Sequence, residues 1–162
     1  MNFPILSSLI LLPSIGALFI LLSKSKDQSN YQSSKYVALF VSFANFFISV
    51  YLWYIFDPNI TDFQFVENRS WISGFINYKV GIDGISILFI VLSTLITPLC
   101  IVSVNKSVNT KLKEFLIAIL LMESLMIGVF CSIDLVIFYL FFEGGLVPMF
   151  LIIGIWGGPR RI

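Results

Sequence analysis

Residues 135–156 read LVIFYLFFEGGLVPMFLIIGIW, and this stretch decides the class of the protein. At about 1.5 Å per residue it is long enough to cross the hydrocarbon core of a bilayer, about 30 Å, as a helix. Its one ionisable acid, Glu143, would then lie near the bilayer midplane. An ionised carboxylate costs about 2.5–3.5 kcal/mol at that depth, so a buried partner, a water-filled path or a proton site is expected there.

The composition is that of a membrane protein. Hydrophobic residues make up 58% of the 162 residues and charged residues only 12%, whereas soluble domains carry about 25% charged residues. The net charge of +1 indicates no general attraction to nucleic acid, and membrane lipid is the expected surrounding. There is no His, and Cys100 and Cys131 have no spacing typical of a metal site. We therefore expect no metal or cofactor in this chain.

The whole chain, 1–162, reads as a single all-α membrane domain with about five transmembrane helices. Eight of the ten Lys and Arg residues lie in the linkers 24–35 and 105–114 and in the tail after residue 156. By the positive-inside rule these regions lie inside, which predicts an outside N-terminus and an inside C-terminus. The predicted helices are 3–23, 36–56, 85–104, 115–132 and 135–156.

The loop 57–83 on the outer side has its own pattern. Apolar and polar residues alternate in 63–65 and again in 76–83, on either side of Ser73-Gly74. Period-two alternation around a turn predicts a small β-hairpin. The alternative is an irregular, partly buried loop.

A second acid, Glu123, lies in the fourth predicted helix. It stands about nine residues before the short turn at Cys131–Asp134, and Glu143 stands about ten residues after it. Both acids should then lie roughly 14–15 Å from the outer end of two neighbouring helices. Each is either a proton site or one half of a packing ion pair, and the sequence does not decide whether their faces meet.

The surroundings of Glu143 favour a proton site. Pro148 removes a backbone donor and crowds the carbonyl of Gly144, so a bend beside the acid would open room for water. The alternative is a plain bend that improves packing. No Lys or Arg of this chain lies at mid-membrane depth, so a cationic partner must come from another polypeptide. In the third helix, Thr94 and Thr97 beside Pro98 are interpreted as packing residues, with a bound water as the alternative.

Several stretches resemble the family of NADH dehydrogenase subunit 4, the antiporter-like membrane subunits of respiratory complex I, which includes bacterial NADH-quinone oxidoreductase subunit M. The most specific is FYLFFE at 138–143 followed by LVPMFLIIGIWG at 146–157. Further matches are FQFV at 63–66, VGIDGIS at 80–86, LME at 121–123 and MIGVF at 126–130.

The resemblance implies a proton-translocating subunit of an NADH:ubiquinone oxidoreductase, with no redox chemistry in this chain itself. Glu143 corresponds to the family's principal proton-pathway glutamate and Glu123 to a supporting one. NADH, FMN, iron–sulfur clusters and ubiquinone would be bound by other complex I subunits, which are the expected partners.

The chain departs from the family in its helix count. Family members have many more than five helices, and the lysines that the family places beside the fifth-helix glutamate belong to the later ones. We therefore expect the chain to be the N-terminal piece of a subunit divided between two polypeptides, the second of which carries the remaining helices and the partner lysines. The alternative is a truncated product.

Two other functions stay open at this point. One is a cation/proton antiporter or a membrane-bound hydrogenase subunit of the same superfamily, and the other is a non-conducting structural fragment of the complex. The heavy use of Phe, Ile, Asn, Lys and Tyr indicates AT-rich coding, which favours the mitochondrial inner membrane over a bacterial cytoplasmic membrane.

Overall fold

The computed structural model describes residues 4–23, 28–72, 76–104 and 111–157, which form five helices and one two-stranded sheet. Every helix contains a stretch long and apolar enough to cross a membrane. The prediction of an all-α, multi-pass membrane protein with a small hairpin is therefore confirmed. The elements are α1 (Ile5–Leu22), α2 (Gln28–Ile55), β1 (Gln64–Ile72), β2 (Ile76–Ile82), α3 (Ser86–Ser103), α4 (Leu112–Cys131) and α5 (Leu135–Trp156).

The predicted helix boundaries agree with the structure to within about three residues, except at the start of α2. That helix begins at Gln28, well before residue 36, although its apolar span begins only at Gln32. The polar residues 28–35 include no Pro or Gly to end the helix. The prediction placed this boundary at the start of the apolar run and so missed the polar first turns.

Helix α4 is the centre of the bundle, since it packs against each of the other four helices. Helix α5 is peripheral and packs mainly on α4. Its described side chains include only two buried ones, Ile137 and Pro148. A long apolar face of α5 is therefore left open by the described part of the chain.

The buried interior is divided into two apolar cores with polar residues between them. The buried members of the first core, at the end of the bundle that carries the hairpin, are Leu6, Leu9, Ile10, Leu52, Val80, Ile82, Ile87, Ile90, Ile127 and Cys131. Those of the second core, at the opposite end, are Ala17, Ile20, Ala38, Ile101, Leu116 and Leu120. On each of α1 to α4 the residues between these two sets include a buried or half-buried polar side chain.

Strands β1 and β2 pair antiparallel, so the predicted hairpin is confirmed and the alternative of an irregular loop is wrong. The predicted turn at Ser73-Gly74 lies outside the described residues. The register shifts between Gln64 and Glu67, where Phe65 has a positive φ of 54°. Such a bulge lets Phe65 pack against the first apolar core.

The hairpin closes one end of the helix bundle. The backbone N–H of Ile133, in the α4–α5 turn, donates to the carbonyl of Lys79 at 3.0 Å. Val80 and Ile82 are fully buried in the first core. At the start of α1, the Glu67 carboxylate accepts hydrogen bonds from the backbone N–H groups of Leu6, at 2.9 Å, and Ser7. The hairpin thus ties the first helix to the turn between the last two.

Candidate functional site

The ends of α4 and α5 place the two membrane acids at the same depth. Glu123 lies eight residues before Cys131, the last residue of α4, and Glu143 lies eight residues after Leu135, the first residue of α5. Eight residues of helix correspond to about 12 Å. Both carboxyls therefore lie near the middle of their helices, on neighbouring elements joined by a short turn.

Glu123 faces the interior of the bundle and is 3% exposed. Its Oε1 accepts a hydrogen bond of 2.9 Å from the Nδ2 of Asn45, which lies on α2 and is fully buried. The other oxygen of each side chain, Glu123 Oε2 and Asn45 Oδ1, has no hydrogen-bond partner within the described residues. The pair thus joins α2 to α4 and leaves two buried oxygen atoms open.

Three further hydrogen bonds lie in the same layer of the bundle. The hydroxyls of Ser49 on α2 and Thr94 on α3 are 2.7 Å apart. On the other side, Ser14 of α1 donates to Ser124 of α4 at 2.8 Å, and Ser124 donates to the carbonyl of Ile10. We call the side chains of Ser14, Ser42, Asn45, Ser49, Thr94, Glu123 and Ser124 the polar layer.

The polar layer changes the interpretation of the third helix and adds a residue that the sequence analysis missed. Thr94, predicted to be a packing residue, links two helices through its hydroxyl. Asn45 was not singled out. A signal was present, because Ser42, Asn45 and Ser49 are spaced three and four residues apart and so share one face of an otherwise apolar helix.

Glu143 has the opposite environment, since it is exposed on the surface of α5. Tyr139, one turn earlier on the same face, lies close enough for its hydroxyl to interact with the Glu143 carboxylate. Glu123 points toward α2 whereas Glu143 lies on the open surface, so the chain does not combine them into one buried pair. Helix α5 itself contains no Lys or Arg.

The glycines beside Glu143 explain this orientation. A Cβ at Gly144 would lie 3.3 Å from Leu125 of α4, so this side of α5 is the one that packs closely. Pro148 is buried inside α5, which continues from Leu135 to Trp156 without a break. The bend expected at Pro148 stays a prediction, as do the proton-transfer roles of Glu143 and Glu123.

The described residues include no group of three or more His, Cys, Asp or Glu side chains able to hold a metal ion. Both cysteines are free: Cys131 is buried in the first apolar core, and Cys100 is exposed on α3. The polar groups that the described residues place at mid-membrane depth are carboxyl, amide and hydroxyl groups, of which the carboxyl groups can take up and release protons.

No protein-family model matches the chain. It is 49% identical to NADH-quinone oxidoreductase subunit M of Rhodobacter capsulatus, over 98% of this chain and 31% of that protein. It is 43% identical to the subunit M of Rickettsia prowazekii, over 100% of this chain and 33% of that protein. With NADH-ubiquinone oxidoreductase chain 4 of Marchantia polymorpha it shares 44% identity, over 96% of this chain and 31% of that protein.

The fold also matches a solved structure. A chain in the structure of respiratory complex I from Thermus thermophilus with bound NADH superposes with a TM-score of 0.77 at 25% identity, covering 96% of this chain and 30% of that one. This chain spans about a third of the length of the relatives that it matches. It is therefore homologous, along nearly its whole length, to part of the subunit named subunit M in NADH-quinone oxidoreductases and chain 4 in NADH-ubiquinone oxidoreductases.

Proposed function

We propose that this chain is part of a proton-translocating membrane-arm subunit of respiratory complex I, the NADH:ubiquinone oxidoreductase. The observation that carries the proposal is the pair of carboxyls, Glu123 and Glu143, at equal depth in neighbouring membrane helices. In this role Glu143 is the principal proton-transfer residue and Glu123 is a supporting one. The names of the homologous subunits favour an oxidoreductase complex over a free-standing antiporter.

The open face of α5 indicates where the rest of the subunit packs. Glu143 is exposed there together with Phe142, Val147 and Phe150, and a carboxylate facing lipid is costly. The relatives are about three times as long as this chain, so two thirds of their length is available to cover this face. We propose that the covering helices carry a lysine that pairs with Glu143.

The paired lysine controls how firmly Glu143 binds its proton. A carboxyl binds its proton more or less firmly according to the charges within about 4–6 Å. Movement of the lysine relative to Glu143 would therefore load and release a proton at mid-membrane depth. Pro148, which supplies no backbone donor to the carbonyl of Gly144, leaves a polar atom beside the acid that a water molecule can reach.

The test is Glu143→Gln, which keeps the shape of the side chain and removes its titratable group. Assembly of the complex is measured by native electrophoresis, and proton pumping and NADH:ubiquinone activity are measured in sealed vesicles. We expect assembly to persist and pumping to fall sharply. Glu114→Gln, which alters an exposed acid in the first turn of α4, is the matched control and should pump normally. Unchanged pumping in Glu143→Gln would contradict the proposal and favour a non-conducting structural fragment.

Purification of the intact complex tests the partners. We expect this chain to co-purify with the subunits that bind NADH, FMN, iron–sulfur clusters and ubiquinone, and with the helices that cover α5. Isolation without any of them would instead favour a cation/proton antiporter or a hydrogenase subunit of the same superfamily.

We place the complex in the mitochondrial inner membrane, with a bacterial cytoplasmic membrane as the alternative, and the N-terminus of the chain on the outer side. The basic linkers then lie inside. Protease cleavage of the hairpin from the outer side of sealed vesicles tests this orientation, and cleavage from the inner side alone would reverse it.

A further inference from the structure

We propose that Asn45 is the positioning residue of Glu123, and that the pair holds the carboxyl in its protonated form as a closed amide–acid ring. The inference rests on the proposed function, since it assigns the polar layer a part in proton handling.

The pair lacks the one proton that a second hydrogen bond between the two side chains would need. Asn45 Nδ2 donates to Glu123 Oε1 at 2.9 Å, and the two atoms without a partner, Asn45 Oδ1 and Glu123 Oε2, are both oxygens. With Glu123 ionised both are acceptors, so neither can satisfy the other. A proton on Oε2 turns that oxygen into a donor for Asn45 Oδ1. In the proposed ring the acid and the amide are joined by two hydrogen bonds, and both open oxygens are satisfied.

The surroundings offer no substitute for that proton. The other described members of the polar layer are the hydroxyls of Ser14 on α1, Ser42 and Ser49 on α2, Thr94 on α3 and Ser124 on α4, none of which is charged. The acid and the tyrosine of α5, Glu143 and Tyr139, lie on its exposed face. Within the described residues, Glu123 is thus the one ionisable group among the buried polar side chains.

The neighbouring hydroxyls are also committed to other bonds. Ser124 donates to the carbonyl of Ile10, Ser42 to that of Leu39 and Ser49 to that of Phe46. Each hydroxyl has a single proton to donate, so these serines do not supply a donor to the open oxygens. A buried polar atom without a hydrogen-bond partner is destabilising, and one added proton would satisfy two such atoms at once.

Infrared difference spectroscopy of the assembled complex in vesicles tests the inference, because the C=O stretching band of a carboxylic acid is absent from a carboxylate. We expect a carboxylic-acid band that is lost in Glu123→Gln. In Asn45→Leu that band should move to higher frequency, because the C=O of Glu123 no longer accepts a hydrogen bond. Asn45→Ser, which removes the amide but leaves a small polar residue, is measured in parallel in case the leucine variant does not assemble.

Two controls make the result specific. Ser42→Ala alters a buried residue one turn away on the same face of α2 and should leave the band in place. Asn45→Gln retains an amide and should return the band toward its wild-type position, which a general packing defect would not do. A spectrum with no band lost in Glu123→Gln would overturn the inference, as would an unmoved band in whichever of Asn45→Leu and Asn45→Ser assembles.

The outcome is separable from that of the proposed function. A shifted band together with normal pumping in Glu143→Gln would retain the role of Asn45 and reject the proton path. An unmoved band together with lost pumping in Glu143→Gln would reject the role of Asn45 and retain the proton path.

Discussion

Gly128 of α4 lies directly against the aromatic ring of Phe141 on α5. A Cβ at Gly128 would be only 2.6 Å from Cδ1 and 2.7 Å from Cγ of that ring, closer than any side-chain carbon can approach. The absence of a side chain at Gly128 therefore sets the distance between the two helices that carry Glu123 and Glu143. It also fixes the rotation of α5, because Phe141 must face α4 for the contact to form.

Gly128→Ala should destabilise the α4–α5 pair by about 1–3 kcal/mol, since the rigid ring of Phe141 has to move to admit the methyl group. The temperature at which this chain dissociates from the purified complex is the measurement. Gly84→Ala is the control, because a Cβ at Gly84 meets nothing within 4 Å. Equal dissociation temperatures for the two variants would show that the close contact does not limit the packing.

Glu67→Ala should lower the free energy of unfolding by about 1–2 kcal/mol. The Glu67 carboxylate, which is distant in sequence, accepts hydrogen bonds from the first N–H groups of α1. Pro4, the residue just before this helix, provides no side-chain cap of its own. Glu67 also accepts a hydrogen bond from the hydroxyl of Ser7. Amide hydrogen exchange in residues 6–8 is the measurement, and it should become faster.

Asp62→Ala is the matched control for Glu67, since it removes an exposed acid from the same loop. Slow exchange that survived in Glu67→Ala would show that α1 does not depend on the carboxylate.

Asp83 should make the start of α3 sensitive to acid. Hydrogen bonds from the backbone N–H of Ser86, at 2.7 Å, and from its side chain hold the pKa of Asp83 below its ordinary value of 3.8. A lowered folded-state pKa stabilises the fold fully above the unfolded value, and that stability is lost as the pH falls through the folded value. The melting temperature should therefore decrease as the pH is lowered below about 4. In Asp83→Asn the melting temperature should decrease less steeply over the same range.

The measurement for Asp83 is the difference in melting temperature between the wild type and Asp83→Asn, taken at about pH 6 and again at about pH 3. The side-chain oxygen of an Asn at this position can accept the same hydrogen bond from the Ser86 N–H, so the two proteins should be similar at the higher pH. A wild type and an Asp83→Asn variant with identical acid dependence would exclude this role.

Ser124→Ala should weaken the contact between α1 and α4 by about 0.6 kcal/mol, and by at most about 1.7 kcal/mol, as is found for hydrogen bonds between membrane helices. Its hydroxyl connects Ser14 and the carbonyl of Ile10, both on α1. Ser93→Ala is the control, because the Ser93 hydroxyl donates only within its own helix, to Phe89. The dissociation temperature of the chain is again compared, and a larger effect from Ser93→Ala would reject the interhelical assignment.

Much of this architecture follows from local properties of the sequence. The five helices come from apolar runs long enough to cross a membrane, and the hairpin comes from period-two alternation around a turn. The depth of Glu123 and Glu143 follows from counting residues outward from one short turn. The early start of α2 could not be predicted from hydropathy, because polar residues can extend a helix beyond the apolar span.

The surroundings of the two acids required the tertiary structure. Asn45 and Glu123 are 78 residues apart in the chain, and no local pattern pairs them. The capping of α1 by Glu67 joins residues about 60 apart in the same way.

The sequence by itself therefore determined that two carboxyls lie at one depth in a five-helix membrane domain, because helix length and residue count fix position along the membrane normal. Only the tertiary structure decided which way each carboxyl faces. The rotation of a helix about its own axis is set by side-chain packing, here by contacts such as Gly128 with Phe141. That packing turns Glu123 toward Asn45 in a buried polar layer and leaves Glu143 on the open face of α5.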